Sequence, residues 1–474
     1  MEIRSFKNAH MTDNERNMAI GSEHRHTTKP HRLPMLKPRE AKIEKRSSKT
    51  KEVIVYLDDY VYGKDNIYET VFLDFRTDKD LAAFKDFISG SDEETNKYLK
   101  YKAEGYLEIT NYHSSKRLIL GAYYALNVKL LKKLKAELHR DKRLLLLSYN
   151  LNNCNNQLLL PHGPLQPDNI QYDEPQKPEL SDCFLYNDSL NLKVNNVGQA
   201  NWNEIISYDR VSLVYDMGAP INATVQDVKK YIEEYARTYQ QDYPWLIISH
   251  WDKDHIHSLC VMTDDELKCF KGVICPFNMR SVVSKRLFAR IKNSVGPNRM
   301  YSYNCRRRDH RFPYPRLQKI FENRGIWLFL GEESRNINYS GIVMVVSGNK
   351  SHAVLTGDCL NIQACFATRF ARFIGGAAKG HVLIIPHHGG KLKKQKILNY
   401  FNISSSINPR KALVSVGKGN PYKHPDGNTM SFFFDIMRNP INRTDEKGCM
   451  KEALSSDLSD DDHDYSKYLL DDAG

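Results

Sequence analysis

The 474-residue sequence contains no run of about 18 apolar residues, so no membrane-spanning helix is expected. Its opening stretch, MEIRSFKNAHMTDNERNMAI, lacks the apolar core of a secretory leader. The nine cysteines are odd in number and form no C-x-x-C pair, which favours reduced thiols over a disulfide framework. No internal repeat of fixed period occurs, which removes solenoids and propellers. These absences together predict a cytoplasmic location. What remains is ordinary for a soluble protein: 41% hydrophobic and 27% charged residues, in a chain long enough for two or three domains and an enzyme-sized core. A net charge of +12 points to a polyanionic partner.

Residues 1–51 are basic and without apolar period, and read as a disordered arm, a solvated tail rather than a specific binding element. Residues 52–155 read as a small α/β domain. VIVYL, YETVFLDF, YLEITNY and RLLLLSYNL are expected strands, and DKDLAAFKDFIS and LNVKLLKKLKAELHR expected helices, the first capped by Asp78. This domain carries no recognisable chemistry and could meet a protein partner. Residues 156–185 read as a Pro- and Gln-rich linker, 186–436 as a second α/β domain with a basic insertion near 280–320, and 437–474 as a polar to acidic tail.

The chemistry concentrates at three strand ends. After the apolar YPWLII comes SHWDKDHIHSL, in which His250, Asp252, Asp254 and His255 spell H-x-D-x-D-H. Alternate residues of an extended segment face one way, so His250, Asp252 and Asp254 can converge, with His255 added from the start of the next element. Imidazole with carboxylate suits zinc, and a carboxylate-rich set also admits manganese. One such run in a loop is ordinary solvated polarity. Here HAVLTGD sets Asp358, and HVLIIPHHGG sets His387 and His388, after further apolar runs.

From Val194 to about His424 the ordered set NVGQANWNEI, LVYDMG, SHWDKDHIHSL, NINYSGIVMVV, VLTGD, IPHHGG and VGKGNPYKHPD resembles the metallo-β-lactamase superfamily. It is most similar to the metallohydrolase domain fused to bacterial DNA-uptake competence channels, here without the channel's membrane segments. The resemblance implies a four-layer αββα sandwich with two divalent metal ions, Zn2+ or Mn2+. His250 and Asp252 would hold the first ion, Asp254 and His255 the second, and Asp358 would bridge them. One of His387 and His388 would complete the second site; His388 is preferred as the ligand, with His387 left to touch substrate. Asp216 would steady a ligand histidine or its loop. Asp254 could also accept a proton from the attacking water, and His424 could donate a proton or hydrogen bond to the leaving group. The superfamily's H-x-H-x-D-H has histidine where this chain has Asp252, which hardens the first site toward manganese. His310 and His352 lack the expected glycine-rich context, and His257 reads as a packing histidine.

Two basic stretches bear on the substrate. Arg306, Arg307, Arg308 and Arg311 lie among Tyr301, Tyr303, Phe312 and Tyr314, and cations with aromatics suit single-stranded nucleic acid; a solvated helical insertion with its aromatics in the core is an equal alternative. Lys391, Lys393 and Lys394 follow the histidine pair and could meet a phosphate backbone. The expected function is therefore a metal-dependent phosphodiesterase or nuclease acting on DNA or RNA. A small-molecule phosphoesterase or esterase is the first alternative, and a non-catalytic metal-binding sensor or interaction protein the second.

Overall fold

The structure, a computed structural model, describes residues 53–62, 67–88, 104–113, 118, 121–131, 136–140, 144–150, 159–161, 189–312, 315–323, 325–334, 336–375, 380–390, 411–418, 420, 422–437 and 441–455. The expected arm, most of the expected linker, the three lysines after the histidine pair and the end of the acidic tail lie outside them. Among the described residues the chain is α/β, with three seven-stranded sheets.

The first sheet comprises β1 (Val53–Tyr62), β2 (Ile67–Phe75), β3 (Glu104–His113), β4 (Tyr123–Leu126), β5 (Ala136–Arg140), β6 (Leu144–Asn150) and β7 (Leu159–Pro161), in the order β5-β6-β3-β2-β1-β4-β7. Alternate residues Val53, Val55 and Leu57 of β1 and Val71, Leu73 and Phe75 of β2 share one buried face. Leu81 and Phe84 of the helix Asp78–Ile88 pack onto it. The cap of that helix is Thr77 rather than Asp78: its hydroxyl accepts the Asp80 N–H at 3.2 Å. Two expectations fail here because pairing overrides local pattern. The end of LNVKLLKKLKAELHR forms β5 against β6 instead of continuing a helix beyond Val128–Leu131, and Leu159–Pro161 of the expected linker pairs with β4.

The second sheet contains β8 (Leu190–Val194), β9 (Asn203–Ser207), β10 (Arg210–Tyr215), β11 (Trp245–Ile247), β12 (Gly272–Pro276) and β13 (Met300–Tyr303). The third contains β14 (Leu317–Asn323), β15 (Ile326–Gly331), β16 (Ile342–Ser347), β17 (Ser351–Leu355), β18 (Gly380–Ile384), β19 (Lys411–Val414) and β20 (Ile441–Arg443). The chain then returns to the second sheet as β21 (Met450–Ala453), antiparallel to β8. In each sheet an antiparallel half gives way to a parallel half, at β10–β13 and at β17–β20. Residues 441–453, expected in the polar tail, thus hold two short strands with the helix Thr444–Lys447 between them, and Met450 and Leu454 anchor this end of the chain in the core.

One buried cluster joins alternate residues of the second sheet, such as Leu190, Leu192 and Val194, to alternate residues of the third, such as Ile342, Met344 and Val346. The opposite face of the second sheet packs Val214, Leu246 and Val273 against helical Leu259, Leu287 and Ile291. That of the third packs Val343, Val345 and Val354 against Ala364, Ala367 and Ala371 of the helix Asn361–Gly375.

Much of the stretch expected as a basic insertion near 280–320 is regular structure laid on or joined to the sheets. The helix Val282–Val295 buries Leu287, Ile291 and Val295 at four-residue spacing, while β13 and β14 are edge strands of the two sheets. Both of its arginines are partnered, Arg290 with Asp264 at 2.9 Å and Arg286 with Asp78. Among the described residues, no helix is long and apolar enough to cross a membrane.

Candidate metal centre

Asp216, the Ser249–Asp252 loop, Asp358, the His387–His388 pair and Ser415 all follow the carboxyl ends of parallel strands, where α/β sheets place their sites. Asp254 and His255 occupy the first turn of the helix Lys253–Val261. Asp254, His255, Asp358 and His388 each offer a buried ligand atom, and these atoms lie within 4.8 Å of one another.

Hydrogen bonding fixes which face each imidazole presents. His255 donates through Nδ1 to Asp216 Oδ2 at 2.8 Å, and His388 donates through Nδ1 to the Ser415 carbonyl at 2.9 Å. The Ser249 hydroxyl donates its single proton to Asp216 Oδ2 at 2.8 Å, so His250 Nδ1, 2.9 Å away, must donate to Ser249 Oγ. With Nδ1 committed as a donor, all three histidines turn Nε2 inward, the nitrogen left free to bind a cation. Those three Nε2 atoms, with Asp252 Oδ1 and Asp358 Oδ1, are buried without hydrogen-bond partners. Leaving so many polar atoms unpaired is costly, and a divalent cation would satisfy them together. The residues present fit the implied metal.

The carboxylates tell the same story. Burial pushes the Asp252 carboxyl well above its usual range, and Asp254 and Asp358 beside it add to the push. Burial disfavours charge on His255, yet Asp358, Asp254 and Asp216 hold it well above its usual range; that charge, foremost among the nearby histidines, keeps Asp254 and Asp358 low against their own burial, and a bound cation would take the place of its Nε2 proton. Burial brings His250 down to about 4, with His255 contributing. Asp252 precedes its helix as the N-cap yet makes no side-chain cap bond, so its carboxylate is not spent on the helix.

Strain marks the same positions. Asp216, His387 and His388 have φ of 61, 54 and 51°, a left-handed backbone costing roughly 1–2 kcal/mol per residue. The histidine pair sits in the short 3-10 turn Pro386–Gly389 that follows β18. The two rings still diverge. His388 Nε2 reaches Asp254 Oδ2 at 3.3 Å, whereas the half-exposed His387 bonds Asp358 Oδ2 through Nδ1 at 2.5 Å. Gly218 has no room for a side chain, since a Cβ there would lie 1.7 Å from the Asp254 carbonyl oxygen.

The structure brings His250, Asp252, Asp254, His255, Asp358, His387, His388 and Asp216 into one locality. His250 and Asp252 adjoin the four-residue group, with the His250 and His255 rings 4.0 Å apart. His424 lies at its edge, 5.5 Å from the His387 ring; burial, with His387 and His388, lowers its pKa to about 3. His257 turns away and donates to the Pro220 carbonyl at 3.0 Å. Asn338 was not singled out by the sequence reading: its amide approaches Asp358 Oδ2 at 3.4 Å. The only signal was its place in NINYSGIVMVV.

The four arginines are not part of this group, and the three lysines lie outside the described residues. Arg306, Arg307 and Arg311 are exposed and Arg308 is half-buried, with Arg311 paired to Asp309 at 2.8 Å. Tyr301 and Tyr303 pack against the core between the sheets rather than facing outward, and Phe312 carries the Arg316 guanidinium 4.0 Å above its ring.

No family model and no curated protein matches the chain. Among solved structures, Tm1679, described as a metal-dependent hydrolase of the beta-lactamase superfamily, matches at 11% identity with a TM-score of 0.33. The match covers 56% of this chain and 100% of that one.

Proposed function

We propose that this chain is a metal-dependent hydrolase of the metallo-β-lactamase superfamily, with the αββα arrangement of that fold, and that it cleaves phosphodiesters in nucleic acid. The observation that carries the hydrolase reading is the convergence of three inward-facing Nε2 atoms and two carboxylate oxygens, all buried without hydrogen-bond partners, in one place. Asp254, His255, Asp358 and His388 would hold one divalent cation, and His250 and Asp252, with Asp358, a second. Such ions polarise a phosphoryl oxygen and make water nucleophilic at neutral pH.

The chain's own groups have separate tasks. Asp216 and the Ser415 carbonyl keep His255 and His388 in the ligating tautomer. Asp254, with its carboxylate held ionised, can accept the proton that the attacking water gives up. His387 and Asn338 steady Asp358 and face the half-exposed side from which a substrate would enter. His424, with its imidazole neutral at pH 7, is suited to a hydrogen bond to the departing oxygen.

Nucleic acid is favoured by the net charge of +12 and the exposed Arg306 and Arg307. Lys391, Lys393 and Lys394 add to this, since they continue the chain from Gly390, which lies against His387 and His424. The test is cleavage of labelled single- and double-stranded DNA and RNA in Mn2+ and in Zn2+, with the wild type and an Arg306, Arg307 and Arg308 triple-alanine variant. The variant should lose polymer affinity, flattening the slope of log affinity against log salt by about 0.7–0.9 for each phosphate contact. It should keep hydrolysis of a bis-aryl phosphate. Unchanged polymer cleavage in the variant would return the small-molecule phosphoesterase to first place.

A further inference from the structure

The first sheet has no chemistry of its own, yet it meets the rest of the chain beside the metal centre. Val283 N–H donates to Asp74 Oδ2 at 3.3 Å, and Tyr123 Oη donates to the Arg280 carbonyl at 3.0 Å. The Arg280 guanidinium donates back to the Gly121 carbonyl at 3.0 Å. A cavity of about 10 Å³ at this junction is lined by Asp58 and Asp74 from the first sheet and by Trp251 and Lys253, which flank Asp252.

Phe72 of β2 packs against the loops that border the site. It is 1% exposed and clusters with Ile221 and Tyr422, on two loops that border the centre. On one side, the Ile221 carbonyl accepts the buried Lys253 ammonium at 2.8 Å, and Lys253 separates Asp252 from Asp254. On the other side runs a chain of rings. Phe72 lies 6.0 Å from Tyr422, and Tyr422 lies 5.8 Å from His424 with the ring planes 23° apart. His424 is then 5.5 Å from His387, which bonds Asp358.

The backbone of His424 is clamped by Asn420, which accepts its N–H at 3.0 Å and donates to its carbonyl at 2.6 Å. Among the described residues no hydrogen bond holds the His424 ring. Its direction therefore depends on the aromatic contacts around it, and the Tyr422 face is the larger of them.

We infer that the first sheet forms one wall of the active site and that Phe72 is a positioning residue for His424, acting through Tyr422. This rests on the role given to His424 under the proposed function. A ring contact removed two residues away turns an imidazole slightly, and small misplacements cost rate while leaving binding intact.

The experiment compares the full-length, metal-loaded wild type with Phe72→Leu, His424→Ala and the double variant, using 4-nitrophenyl and unsubstituted phenyl phosphodiesters. Phe72→Leu keeps apolar bulk and should keep wild-type metal content. Turnover of the phenyl ester, whose departing oxygen needs help, should fall about tenfold, with KM little changed. The nitrophenyl ester should lose less than about threefold. His424→Ala should show the same selectivity, and adding Phe72→Leu to it should change nothing further. Equal losses on both esters, no loss on either, or a full additional loss in the double variant would overturn the inference.

The carbon-bound ring protons of His424 give a second readout that needs no catalysis. Their NMR positions should move in Phe72→Leu and not in a distant control such as Leu287→Val; unmoved resonances would also overturn it. If the wild type turns over neither ester while those protons do move, the hydrolase reading fails and the positioning of His424 by Phe72 stands.

Discussion

Ser249 has one hydroxyl proton and three polar neighbours, and where that proton goes sets the tautomer of His250. Asp216 draws it, and Asp216 also takes the Nδ1–H of His255. Replacing Asp216 with Asn puts an amide where two donors now converge. Metal affinity should fall about 10- to 100-fold, measured by competition with a chromogenic chelator. Unchanged affinity in Asp216→Asn would mean that the histidines hold their tautomers by other means. At this scale much of the site was legible. Asp254, His255, Asp358 and His388 follow apolar strands, and ligand-type residues at strand ends stand out against that background. Ser249 and Asn338 did not. A serine beside a histidine has no period to betray it, and Asn338 meets Asp358 only because a turn between β15 and β16 is folded back toward the end of β17.

The turn after β10 shows how elements hold these residues at their distances. Met217 N–H donates to the His255 carbonyl at 3.0 Å, and Ser258 N–H to the Met217 carbonyl at 3.0 Å, so the loop is stitched to the ligand-bearing helix. Gly218 permits the approach. Gly218→Ala should destabilise by about 1–3 kcal/mol in denaturant unfolding and should weaken metal binding in parallel, because its Cβ displaces Asp254. Normal stability and affinity together would contradict this account of the loop. The helix Val282–Val295 teaches a different lesson. It falls in the stretch expected as a basic insertion, and the spacing of Leu287, Ile291 and Val295 is that of a helix laid on a sheet. Leu287→Ala should cost about 2–5 kcal/mol, a core loss that a surface insertion would not show. The strand Ala136–Arg140 was hidden, since its helical pattern is local and its partner β6 is not.

For the molecule as a whole, the metal centre is also a store of unfavourable energy. Four buried carboxylates, unpaired imidazole nitrogens and left-handed residues are tolerated by two large sheets and the helices around them. A cation that binds only the folded chain should therefore stabilise it. At a free concentration about a hundredfold above Kd the gain is about 2.7 kcal/mol, read as a rise in Tm that a chelator reverses. The general layout could be read from the apolar strands and their order. The place of the first sheet against the second could not, because it depends on contacts such as Phe72 with Ile221 and Tyr422, more than a hundred residues apart in sequence.

The most direct measurement is the binding of Zn2+ and Mn2+ to the wild type and to Asp358→Asn by isothermal titration calorimetry. Asp358 touches both His255 and His387 and lies in the four-residue group, so its charge is central to the site. The account predicts saturable binding of about two ions in the wild type and a loss of at least about 100-fold in affinity in the variant. Equal affinity and stoichiometry in the two proteins would contradict it.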